Sequence, residues 1–144
     1  MTPVERLIRG CVDDERMLQC AARYVDEARG SALEQLADER LFFIRTLSTS
    51  GRTLHHEPRA RGSAGGMFRV LLLEARTLAA GRNTGDALSA CRQSQGRLEH
   101  LFTSALDREW SHELLDVITG QQQRICAARG RLIGIEHGIV VGRA

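Results

Sequence analysis

The sequence lacks lysine, and it has few aromatic residues. All 20 of its basic residues are arginine, and aromatics make up only 4% of the 144 residues. Strands draw heavily on aromatic and β-branched residues, whereas a core of Leu, Ile, Val and Ala suits close helix packing. This composition therefore favours helices over a β-sandwich.

Other absences exclude several kinds of partner and compartment. The 20 arginines are balanced by 18 acidic residues without forming a basic stripe, which argues against a nucleic-acid ligand. No apolar run approaches the roughly 18 residues that a membrane-spanning helix needs, so we expect no membrane association. The N-terminus has no apolar segment after a basic start, which predicts a cytoplasmic protein without a signal peptide.

The four cysteines form no CxxC pair; they are Cys11, Cys20, Cys91 and Cys126. In a chain without a predicted export signal, we expect them to be reduced. Cys11, Cys91 and Cys126 fall among apolar helical positions. This placement predicts small buried hydrophobic side chains rather than redox centres or metal ligands.

Apolar residues recur at spacings of three, four and seven, which predicts amphipathic helices. We expect helices over about 3–29, 32–50, 66–80, 86–108 and 111–133, and a flexible tail over 134–144. Pro3 favours the start of the first helix, because the N–H that it lacks has no helical partner there. The pattern predicts an all-α chain.

Capping residues indicate where the helices begin and end. Gly30 is predicted to end the first helix, and Ser31 to cap the second, with Glu34 completing a capping box. Asp86 is predicted to cap a later helix. So short a link between the first two helices forces an antiparallel hairpin.

A weak internal repeat aligns Cys11-Val12-Asp13-Asp14-Glu15 with Cys91-Arg92-Gln93-Ser94-Gln95. The two segments lie in two helical hairpins, and the crossover between the hairpins contains the 66–80 helix. One long crossover is typical of ferritin-like folds. We therefore predict one domain over 1–133, a ferritin-like antiparallel four-helix bundle with an additional helix in the crossover.

Ferritin-like metal sites combine inward carboxylates with Glu-x-x-His pairs. Glu15 and Glu39 lie midway along the first two predicted helices and are the candidate ligands of iron or another divalent metal. Phe42 stands where the second helix would need a histidine, Gln95 replaces an acid, and the last helix offers neither residue type. Half of a two-metal site is therefore missing, unless a homodimer completes it.

Two other readings compete with metal binding at these positions. Glu15 and Glu39 can instead form ion pairs with Arg16, Arg40 or Arg92. The only histidine cluster, His55-His56-Glu57, lies in a Gly-rich predicted loop, where adjacent side chains do not face one way. Gly62-Ser63 before a helix suggests a phosphate cradle, but helix entry is the better interpretation without a lysine or a preceding strand.

The chain resembles an uncharacterised bacterial ferritin-like four-helix-bundle family, a domain of unknown function. The first helix of that family reads Cys-x-Asp-Gly-Glu and then Ala-Ala; here the matching residues are Cys11-x-Asp13-Asp14-Glu15 and Ala21-Ala22. The resemblance covers about residues 4–133. It continues through Glu39-Arg40-x-Phe42, Gly62-Ser63, Cys91-x-x-Ser94-Gln95 and Phe102-x-x-Ala105-Leu106.

The resemblance implies a ferritin-like bundle whose metal-ligand positions have degenerated. We therefore expect a non-catalytic protein without a cofactor, acting through self-association as a homodimer or other homo-oligomer, or through an unknown protein partner. The alternative is a carboxylate metal site at Glu15 and Glu39. No serine or cysteine is accompanied by a suitably placed histidine, which makes a hydrolase or thiol enzyme a poor interpretation.

Overall fold

The computed structural model describes residues 1–52, 58 and 60–138, and α-helix is the regular secondary structure throughout this part of the chain. The predicted all-α class is confirmed for these residues. No helix among them is long and apolar enough to cross a membrane. The five helices are α1 (Pro3–Ala22), α2 (Glu27–Ser50), α3 (Ala64–Ala80), α4 (Thr84–Ala105) and α5 (His112–Glu136).

Helix α1 begins at Pro3, as predicted, under a capping box. The Thr2 hydroxyl accepts the Glu5 backbone N–H at 3.1 Å, and the Glu5 carboxylate accepts the Thr2 N–H at 3.1 Å. Each bond satisfies a donor that the first helical turn leaves without a partner. The start of α1 is therefore fixed by two side chains.

The boundary between α1 and α2 differs from the prediction. Helix α1 ends at Ala22, and Asp26 caps α2 by accepting the Arg29 N–H, so the predicted helix end at 29 and the Ser31 cap are wrong. Gly30 lies inside α2, where a Cβ atom would stand 2.8 Å from the Ala22 carbonyl oxygen. This glycine therefore permits close backbone approach at the hairpin and does not terminate a helix.

Two later boundaries also differ. Asn83, not Asp86, caps α4, because its side-chain oxygen accepts the Asp86 N–H at 3.1 Å. Helix α5 continues to Glu136, so the first three residues of the predicted tail are helical. The remainder of that tail, over 139–144, lies outside the described residues.

Helices α1, α2, α5 and α4 form a closed ring of packed neighbours, and α3 packs outside the ring against α1 and α4. Contacts between α1 and α2 show that they run antiparallel. Gly51 at the end of α2 faces Val4, and Gly30 near its start faces Ala22. Between α2 and α4, the chain crosses from one end of the ring to the other, and α3 lies in this crossover.

The apolar core consists of two clusters, one toward each end of the ring. Between them lies a layer of buried polar side chains near the middle of α1, α2 and α4, consisting of Asp14, Arg40, Ser94 and Gln95. A polar layer in such a core is costly unless every group has a hydrogen-bond partner.

Candidate functional site

Arg40 is the centre of the buried polar layer, with a fully buried side chain. Its Nε donates to the Asp14 carboxylate at 2.8 Å, and its two terminal nitrogens donate to Glu39 at 2.9 Å and to Gln95 Oε1 at 3.1 Å. The guanidinium carbon also lies 5.5 Å from the centre of the Phe43 ring. One side chain of α2 thus ties α1 to α4.

The rest of the layer completes these hydrogen bonds. The Ser94 hydroxyl donates to the second Asp14 oxygen at 2.6 Å, and the Gln95 amide donates to the Ile125 carbonyl of α5. All four helices of the ring therefore contribute to one network. Because the network is satisfied internally, its chemistry fixes how the helices align rather than presenting reactive groups to a substrate.

The two candidate metal ligands, Glu15 and Glu39, have different partners. One carboxylate oxygen of Glu39 pairs with Arg40, and the other lies 3.5 Å from a terminal nitrogen of Arg131. Glu39 therefore forms ion pairs, which is the alternative that the sequence offered to metal binding. Glu15 is half-buried beside Gln19, and burial raises the pKa of its carboxyl group. Among the described residues, no group of three or more His, Cys, Asp or Glu side chains is placed to hold a metal ion.

The three adjacent acids of α1, which are Asp13, Asp14 and Glu15, lie in three different environments. Asp14 belongs to the buried layer, and Glu15 lines a surface groove. Asp13 accepts both the backbone N–H and the hydroxyl of Ser63, at 2.8 and 2.6 Å. Asp13 thereby fixes the residue that caps α3, and the motif joins α1 to the crossover helix.

Gly62-Ser63 is a helix entry, as the sequence indicated. Ser63 caps α3 by accepting the Gly66 N–H at 2.9 Å. A Cβ atom at Gly66 would overlap the Asp13 carboxylate, and one at Gly62 would stand 2.8 Å from it. The glycines are therefore required by the close approach of Asp13.

Some residues that the internal repeat aligns have similar environments in the structure, and others do not. Asp14 and Ser94, which the repeat aligns, hydrogen-bond each other, and the aligned Cys11 and Cys91 are both buried. Burial raises the pKa of both thiols far above the usual range. Gln95 is buried beside Arg40, whereas its aligned partner, Glu15, is half-buried and lines the surface groove.

Cys126 is only partly buried, which differs from its predicted core position, while Cys20 is buried. The His55-His56-Glu57 cluster lies outside the described residues.

An open groove of about 450 Å³ separates α3 from α1 and the start of α2. Its walls combine charged and apolar side chains, including Glu15, Arg16, Glu34, Met67 and Val70. The groove exists because α3 touches the ring along only part of its surface. Sequence periodicity alone predicted the helix but gave no sign of this gap.

The outer face of α3, which we define as Ala64, Phe68, Leu71, Ala75 and Leu78, is the most exposed apolar surface of the described residues. Phe68, Leu71 and Leu78 are 64%, 56% and 88% exposed, while only Gly66 and Leu73 of this helix are buried. Spacings of four and three place the outer face along one seam. The same spacing is present in the sequence and indicates a second contact surface that was not predicted.

A scan against protein-family models and searches of curated proteins and of solved structures find no match to the chain. The resemblance to the ferritin-like family therefore rests on the short sequence motifs given above.

Proposed function

We propose that the protein is a non-catalytic helical bundle with a ferritin-like arrangement that acts through self-association. The outer face of α3 is the contact surface, and a second copy of the chain is its occupant. The single observation that carries the proposal is the seam of exposed apolar side chains on α3. The opposite side of this helix packs against the ring.

The chemistry of the interior supports a non-catalytic role. The side chains of the buried polar layer hydrogen-bond one another; they are Arg40, Asp14, Ser94 and Gln95. The Asp13 carboxylate accepts a hydrogen bond from Ser63. The carboxylates of Asp13 and Asp14 are thus engaged in structural hydrogen bonds. A shared network of this kind is best suited to setting the alignment of helices.

The size of the exposed surface supports a second copy as the occupant. A fully exposed large side chain presents about 150–250 Å². The large apolar side chains on this side of α3 are between 38% and 88% exposed; they are Phe68, Leu71, Leu78, Met67 and Leu72. Together they expose roughly 500 Å². Alanines 64, 75 and 79 extend this area toward the ~800 Å² per partner of a standard interface.

The spacing of the outer face also favours a copy of the same helix. Alternating steps of four and three residues continue over the 17 residues of α3, about 25 Å of helix at 1.5 Å per residue. Such a seam packs against another seam of the same repeat and length. Two α3 helices related by a two-fold axis satisfy this condition and close the assembly.

Sedimentation equilibrium of the full chain and of Leu71→Glu tests the proposal. We expect a dimer for the parent and a monomer for Leu71→Glu, because the substitution places a charge in the middle of the seam. The matched control is Leu115→Glu on α5, a helix that does not touch α3 among the described residues and whose Leu115 is 39% exposed. The control is expected to remain dimeric.

Circular dichroism establishes that each variant keeps its helical content. A parent that stays monomeric at high concentration would overturn self-association, as would a Leu71→Glu dimer as stable as the parent. Elemental analysis adds an independent check, because a stoichiometric transition metal in the purified protein would contradict the non-catalytic bundle. Parent protein that is monomeric but binds lipid vesicles through Phe68 and Leu71 would also contradict it.

A further inference from the structure

A second, smaller groove lies between α3 and α4, and arginines line it. Its α3 wall carries Arg69 and Arg76, and its α4 wall carries Gln93 and Arg97. Met17 and Leu73 contribute apolar surface. Arg69 and Arg76 are seven residues apart on α3, and Gln93 and Arg97 are four residues apart on α4. These spacings put each pair on one face of its helix.

The three guanidinium groups have no anionic partner within the described residues. Arg69, Arg76 and Arg97 make no hydrogen bond or ion pair there. The two carboxylates whose charge is felt at Arg97 are Asp13 and Asp14, and both are already bound, to Ser63 and to Arg40. The groove therefore brings together three guanidinium groups that have no direct ion-pair partner among the described residues, while Asp13 and Asp14 attract Arg97 without contacting it.

Arg69 and Arg97 repel each other across the groove, and an anion bound between them would offset this repulsion. Arg97 shows the effect: burial, and after it the charge of Arg69, lower the pKa of its guanidinium. An oxyanion would relieve the repulsion and accept hydrogen bonds from planar guanidinium groups, whose geometry matches carboxylate and phosphate oxygens. The amide of Gln93 offers a further donor.

We propose that this arginine groove, formed by Arg69, Arg76, Gln93 and Arg97, binds a small oxyanion, either a phosphate group or a carboxylate. Its volume of about 60 Å³ is several times the roughly 10–15 Å³ that one water molecule needs, which leaves room for one such group. The polar residues of the site do not belong to the outer face as defined above, although Leu72 borders both surfaces. The proposed site assigns a ligand chemistry to residues that the bundle does not need for its own packing.

Isothermal titration calorimetry and thermal unfolding of the full chain test this site at constant ionic strength. The probes are sodium phosphate and citrate, with sodium chloride as the reference. We expect both oxyanions to bind and to raise the unfolding temperature above that in chloride, because a ligand of the native state alone stabilises it. A response to phosphate only identifies a phosphate-type ligand, and a response to citrate only identifies a carboxylate.

The test variants are Arg97→Gln and Arg69→Gln, and the matched control is Arg45→Gln, an exposed arginine of α2. Loss of one charge-assisted hydrogen-bonding group is expected to weaken binding about tenfold or more. The control should bind like the parent. Equal binding by all four proteins, or no difference between oxyanions and chloride, would show that charge screening alone acts and would overturn the site.

Discussion

Arg40 and Asp14 form an ion pair that is shielded almost completely from solvent, with side chains 0% and 2% exposed and 2.8 Å between Nε and Oδ2. The pair stands between the two apolar clusters of the core. Removing two charges from water costs several kcal/mol per ion, and attraction offsets this only when the remaining hydrogen bonds are made. Here Ser94 and Gln95 make them. The pair therefore contributes more to helix alignment than to net stability.

Replacing Arg40 with Met should destabilise the protein by about 3–5 kcal/mol, because Asp14 would remain as an unpaired buried charge. Urea unfolding monitored by circular dichroism measures the loss. The control is the double variant Asp14→Leu/Arg40→Met, which removes both charges and should lose much less. Equal losses in the single and double variants would contradict the account of an uncompensated carboxylate.

Replacing Asp13 with Ala should lower the free energy of unfolding by about 1–2 kcal/mol, since the backbone N–H and the hydroxyl of Ser63 both lose their acceptor. Chemical denaturation of the variant and the parent provides the comparison. Asp38→Ala on the exposed side of α2 is the control and should change stability by less than about 0.5 kcal/mol. If the two variants behave alike, Asp13 does not anchor the crossover helix.

Two glycine substitutions should have opposite effects. Gly30→Ala should destabilise, because its Cβ would meet the Ala22 carbonyl oxygen at 2.8 Å and force the hairpin apart. Gly96→Ala in α4 should stabilise by about 0.5–1 kcal/mol, because no atom lies within 4 Å of its Cβ and alanine favours a helix. Melting temperatures measure both. A stabilised Gly30→Ala protein would show that residue 30 is not a close-packing position.

Stability should fall as the pH rises above about 8.5, the ordinary pKa of a cysteine thiol. Burial raises the pKa of Cys11 and Cys91 in the folded protein, so these thiols stay protonated there but ionise in the unfolded chain. The unfolded state then binds fewer protons, and each thiol contributes a slope of about −1.4 kcal/mol per pH unit.

Urea unfolding between pH 7.5 and 10 measures this slope, with Cys91→Ala as the comparison. The variant is expected to lose one thiol's share of the pH dependence, whatever its stability at neutral pH. An unchanged slope would mean that Cys91 ionises equally in both states.

The helical class and most of the core followed from periodicity, because apolar spacing depends on which side of a helix faces inward. The hairpin boundary did not follow, since a glycine in a sequence looks the same whether it ends a helix or admits a close neighbour, as Gly30 does. Ser31 and Asp86 failed as caps for a related reason. Asp26 and Asn83 are equally suitable residues a few positions earlier, and local propensity does not choose between them.

The candidate site was partly visible in the sequence. Asp14, Arg40 and Gln95 lie within the short motifs named from the sequence, but the sequence did not indicate that they hydrogen-bond one another. The sequence did not distinguish Glu15 from its buried neighbour Asp14, because adjacent residues differ by about 100° around a helix and only the packing decides which one points inward. The groove arginines were not found, since they come together only when α3 packs beside α4.

Because α3 buries few side chains against the ring, it should unfold locally more easily than the rest of the protein. This helix buries only Gly66 and Leu73 among its 17 residues, whereas the ring contains the two apolar clusters. Regions with few buried contacts open at a lower free energy than the whole protein. Amide protons of α3 should therefore exchange with solvent through local opening, while those around Arg40 exchange only when the ring unfolds. We therefore expect α3 and the ring to open as two cooperative units of unequal stability.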